Sequence, residues 1–155
     1  MESGQYENAM SAYKKARVIV KKEYTSYITQ IAKARAQDDN EARRRSDFDY
    51  HIKNAFALKT EMAKLLTNSA NALFQIASQA STPEEDKEAL LRQCLSFATK
   101  SFLNDQNWGK SLQWARKAWK ALGMNSTEAE VEEKKLKTLV QNAPDVPTRV
   151  SFCLE

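Results

Sequence analysis

One histidine, His51, and two cysteines, Cys94 and Cys153, are the chain's whole supply of its most versatile catalytic and metal-binding side chains. A lone histidine cannot provide the paired ligands of a zinc site, and it gives little scope for a histidine-relayed nucleophile. On a helix it reads as a surface or half-buried residue. Cys94 falls inside an apolar stripe and reads as a small core residue. Three isolated glycines cannot build a phosphate-cradling loop, and no Walker sequence is present. Acidic residues cluster at Glu84–Glu88 and Glu128–Glu133, in the first turns of expected helices, where the helix dipole favours negative charge. Solvated helix starts account for them better than metal ligands do. The expectation is a protein that is not an enzyme and carries no cofactor and no metal.

The residues suited to binding are basic and aromatic. Arg43, Arg44 and Arg45 form a compact basic run, and Lys14, Lys15, Arg17, Lys21 and Lys22 flank the first expected helix. Residues 1–80 hold 13 Lys/Arg against 9 Asp/Glu, whereas residues 81–155 hold 11 of each. The formal charge of +4 therefore resides in the first half. Such a surplus can dock an acidic protein segment or a nucleic-acid backbone, although it is modest for a dedicated nucleic-acid binder. The plainer alternative is a solvated helix face balanced by Glu23, Asp38, Asp39, Asp47 and Asp49. The aromatic residues are mostly core by spacing, with one or two left to line a groove. The candidate partner-binding residues are thus Arg43, Arg44, Arg45, Lys14, Lys21 and Trp114.

These residues must be positioned by helices. The chain has 155 residues, 42% hydrophobic and 28% charged, which suits a globular fold with a core. Between residues 5 and 142 the only proline is Pro83, so little interrupts a helix there. Apolar positions at steps of three and four predict one helix from about Gln5 to Ala36 and a second from about Glu41 to Gln79. The second stripe widens after residue 62, implying burial on two sides. Thr82-Pro-Glu-Glu85 predicts the start of a third helix, with threonine as cap and proline in its first turn. A fourth is expected from about Trp108 to Leu122, closed by Gly123. It has two apolar faces, one with Trp108, Leu112, Ala115, Trp119 and Leu122, the other with Trp114, Ala118 and Ala121. Thr127-Glu-Ala-Glu130 reads as a capping box opening a fifth, outer helix. Asn125-Ser-Thr127 matches a glycosylation acceptor but reads better as part of a helix cap. The expected fold is all-α, with antiparallel helical hairpins making about five helices, the first two long. One domain would span 1–142, and an extended tail 143–155.

Two segments share a pattern: Gly4-Gln-Tyr-Glu-Asn-Ala-Met-Ser-Ala-Tyr-Lys-Lys-Ala16 and Asn107-Trp-Gly-Lys-Ser-Leu-Gln-Trp-Ala-Arg-Lys-Ala-Trp119. With Tyr6 set on Trp108, Ala9 meets Ser111, Met10 meets Leu112, Ala12 meets Trp114 and Ala16 meets Ala118. This resembles the second helix of a tetratricopeptide repeat, in which small residues let helix backbones approach. The long first helices depart from that family's short ones. Ala72-Leu-Phe-Gln-Ile-Ala-Ser78 and Gln113-Trp-Ala-Arg-Lys-Ala-Trp119 also look similar to a meiosis-specific crossover scaffold family. What these resemblances imply is a repeat solenoid that organises protein partners, and the present chain as a piece of a longer one.

The N-terminal Met1-Glu-Ser-Gly-Gln5 has no basic-then-apolar run, and no apolar stretch approaches the roughly 18–20 residues needed to span a bilayer. An intracellular chain, cytoplasmic or nuclear, with reduced thiols and no membrane contact is expected. Taken together, the residues predict a non-enzymatic protein–protein scaffold or adaptor whose partner offers an acidic segment. The alternatives are a coiled-coil or spectrin-like structural module and a nucleic-acid-binding bundle using the basic first half.

Overall fold

A computed structural model describes the backbone over 3–36 and 41–142, and the side chains over 4–33 and 49–141. Five α-helices follow in order: α1 (Ser3–Ala36), α2 (Glu41–Ala77), α3 (Glu84–Asn104), α4 (Lys110–Ala121) and α5 (Ser126–Asn142). No strand occurs among the described residues. The all-α class and the two long leading helices, of 34 and 37 residues, agree with the apolar periodicity. At 1.5 Å per residue each spans about 50 Å. The expected tail at 143–155 lies outside the described residues.

α1 and α2 run antiparallel. Tyr27 on α1 meets His51 on α2, while Arg17, further back on α1, meets Ser69, further along α2. Two apolar clusters hold the array. One joins Tyr24 and Ile31 to Ala55, with Tyr27, Ile28, Ile52 and Leu58 around it. The other joins Ala70 and Leu73 of α2, Cys94 and Ala98 of α3, and Ala115, Ala118 and Trp119 of α4. Ala70, Ala98, Ala115 and Ala118 are fully buried. Their small side chains let the three helix backbones come close, and Trp119 and Leu73 fill the space between.

A polar seam runs through the apolar one. Ser101 on α3 donates to the Ala63 carbonyl at 2.7 Å. The Thr67 and Ser101 hydroxyls lie 2.7 Å apart. The Trp108 indole Nε1 donates to the Thr67 hydroxyl at 3.1 Å. Each hydroxyl thus finds the partner that burial demands.

The helix ends differ from expectation in instructive ways. Trp108 lies ahead of α4 rather than within it: its indole is held by Thr67, and its carbonyl accepts from the Ser111 N–H and hydroxyl. Thr82 does not cap α3. Its hydroxyl instead donates to the Ile76 carbonyl at 2.6 Å, closing the last turn of α2, and Pro83 takes the cap position of α3. The capping box of α5 sits two residues earlier than expected. Asn125 Oδ1 accepts the Glu128 N–H at 2.9 Å, and Glu128 Oε2 accepts the Asn125 N–H at 3.0 Å. Asparagine is at least as good an N-cap as threonine, and both registers have Glu three residues on. Gly123 closes α4 as expected, at φ +86°, with Met124 N–H on the Trp119 carbonyl. This is the Schellman arrangement that favours glycine.

Candidate functional site

On α1, Lys14, Arg17, Val18 and Lys21 follow steps of three and four and so share one face. α2 places Met62 and Leu66, one turn apart, opposite that face. α3 adds Phe97 and Lys100. These eight residues line a groove of about 190 Å³ where the three helices meet. Met62 and Leu66 are buried and make its floor, whereas Val18 is 62% exposed at its rim. Ile19, beside it on α1, is 59% exposed.

Four cations and no carboxylate line this groove. Lys14, Lys21 and Lys100 have no ion-pair partner among the described residues. Six cations elsewhere, Lys64, Lys87, Arg92, Arg116, Lys135 and Lys137, each lie within reach of a glutamate, so what sets the groove apart is that its four cations converge with no acid among them. Arg17 is half-buried. Its guanidinium lies 4.6 Å from the centre of the Phe97 ring, and Nη1 donates to the Ser69 hydroxyl. Burial lowers its pKa below the ordinary guanidinium value. The groove therefore combines an apolar floor with an uncompensated positive rim.

The expected binding residues divide into three sets. Lys14 and Lys21 are brought together in the groove. Trp114 is not part of it. Its half-buried ring packs 5.5 Å from Phe74 and lies under the Lys117 ammonium at 4.3 Å. Arg43, Arg44 and Arg45 stand on the first turns of α2, and their side chains lie outside the described residues. Arg17, Phe97 and Lys100 were missed as site residues. The signal for Arg17 was its three-residue step from Lys14. No sequence signal ties Lys100 to α1, because that neighbourhood depends on how α3 crosses.

The side chains with catalytic potential stay isolated. His51 is half-buried between Tyr27 and Tyr50, at ring distances of 5.9 and 5.4 Å. Its Nδ1 is buried with no hydrogen-bond partner. Cys94 is fully enclosed, and burial pushes its thiol up to about 12. Among the described residues no group of three or more His, Cys, Asp or Glu could hold a metal ion. No described helix is long and apolar enough to cross a membrane.

A second cleft, of about 300 Å³, lies where α2 faces the α3–α4 turn, with Thr60 donating to Asp105 at 3.0 Å. It carries one lysine and one aspartate, so it lacks the charge imbalance of the groove. No family model, curated protein or solved structure matches this chain.

Proposed function

We propose that the chain is a non-enzymatic protein-binding scaffold of stacked helices, and that its groove between α1, α2 and α3 takes an acidic segment of an intracellular protein partner. The observation that carries this reading is the coincidence of four lining cations, no lining acid and an apolar floor. Unpaired like charges at a concave site favour an anion. Val18, largely exposed in a lining that also holds buried Met62 and Leu66, favours an occupant that brings apolar side chains as well. A peptide with acidic and aliphatic residues has both. A sugar–phosphate backbone makes no use of the floor, and a second copy of this face would oppose lysine to lysine. The small buried residues of α4 support the tetratricopeptide-like view of a repeat array, since they serve the close backbone approach that this pattern implies.

The test is a comparison of two probes of equal charge: a labelled peptide of glutamates and leucines, and a short DNA duplex. Fluorescence anisotropy at low and high salt measures both. The expected result is tighter peptide binding that is lost on replacing Lys14 and Lys21 by Glu and kept on replacing the α4 residue Lys120 by Glu. Preference for the duplex, with a steep fall in affinity as salt rises, would establish the nucleic-acid alternative instead.

A further inference from the structure

Arg17 is poorly explained by the fold alone. Its guanidinium offers five N–H donors, of which Nη1 is used on Ser69, and no carboxylate among the described residues pairs with it. Ser69 does not need it, because the Ser69 hydroxyl already donates to the Leu65 carbonyl at 2.8 Å. Half-burying a cation without an anion carries a desolvation cost, which an apolar side chain of similar length would avoid. The Phe97 ring, with its centre 4.6 Å from the guanidinium carbon, holds the group at the groove.

We propose that Arg17 is the specificity-determining residue of the groove, gripping one carboxylate of the acidic segment through its free N–H groups while a neighbouring aliphatic side chain of that segment packs on Val18, the exposed apolar residue of the lining. This rests on the reading of the groove given above. Lys14, Lys21 and Lys100 then act as a surrounding positive field. A lysine is a point charge, whereas the planar fork of arginine matches both oxygens of a carboxylate. The groove would thus distinguish a side-chain carboxylate set beside an apolar residue from acidic charge in general.

Two variants and two labelled probes test this. One probe is a peptide of Glu-Glu-Leu repeats; the other is polyglutamate of the same length. Thermal unfolding is measured alongside anisotropy. Arg17→Met should keep or raise Tm, because it replaces an uncompensated cation with an apolar chain on Phe97. It should weaken binding of the Glu-Leu probe about tenfold or more, as expected for losing a charge-assisted hydrogen-bonded pair. Arg17→Lys should recover only part of that loss, and polyglutamate should bind weakly and be nearly indifferent to both changes. If Arg17→Met lowers Tm and leaves binding intact, Arg17 is structural and the proposal is overturned. If Lys21→Glu abolishes binding but both Arg17 variants bind as the wild type does, the groove stands and the role of Arg17 falls. If the folded wild-type protein binds neither peptide, the acidic-partner reading of the groove fails, and this proposal with it.

Discussion

The Trp108 indole donates a 3.1 Å hydrogen bond to the hydroxyl of Thr67, so the turn before α4 is tied to the middle of α2. Thr67 is 2% exposed and also lies 2.7 Å from the Ser101 hydroxyl. Through Thr67, three elements share one short chain of hydrogen bonds, which sets the register of α3 and α4 against α2.

Replacing Thr67 by Val keeps the shape of the side chain and removes the hydroxyl. Ser101 retains the Ala63 carbonyl, but the Trp108 N–H loses its acceptor. The expected loss of stability is about 0.5–1.5 kcal/mol, the usual net worth of a hydrogen bond, because the Trp108 side chain is part-buried and water can reach it. Urea unfolding measures the loss, and a change in Trp108 fluorescence should accompany it. An unchanged midpoint would mean that water replaces Thr67 at no cost.

Trp119 is 3% exposed and packs among Leu73, Cys94, Ala98 and Ala115. Trp119→Ala removes the largest side chain from the seam that joins α2, α3 and α4. Such truncations cost about 3–5 kcal/mol, against a total of about 5–15 for a typical domain. Chemical denaturation should therefore show a large drop or a chain that no longer folds. A change below about 0.5 kcal/mol, typical of surface sites, would contradict the packing described.

Much of this was legible from the chain because it depends on periodicity. Apolar steps of three and four from Tyr6 to Ile31, with no glycine or proline inside, leave a long α1 as the natural outcome. The same logic gave α2 its stripe and placed Cys94 and Trp119 in the core. Cap chemistry was less legible, since Thr82 can serve either the helix behind it or the one ahead, and the structure uses it behind. The face of α1 with Lys14, Val18 and Lys21 could be read from spacing. That Phe97 and Lys100 complete the groove could not, because this depends on the crossing of α3. The polar seam at Thr67 and Ser101 was hidden for a related reason: a hydroxyl within an apolar stripe shows its partner only when the register between helices is known.

Cys94 should be chemically silent in the native protein. It is fully buried, and burial pushes its thiol up to about 12, so the reactive thiolate is scarce near neutral pH. In a Cys153→Ala background, labelling by a thiol reagent should be slow and should accelerate in step with urea unfolding. Rapid labelling in native buffer would mean that the seam between α2, α3 and α4 opens readily.

The proposed function has an acidic segment with apolar residues docking in the groove between α1, α2 and α3. Its most direct test is amide chemical-shift mapping of the intact chain as the unlabelled Glu-Leu peptide is added. Shifts should concentrate around Lys14–Lys21, Met62–Leu66 and Phe97–Lys100, be suppressed by high salt and be absent when Lys14 and Lys21 are both replaced by Glu. Shifts confined instead to the first turns of α2 around Arg43–Arg45, or the absence of any shift at low salt, would contradict it.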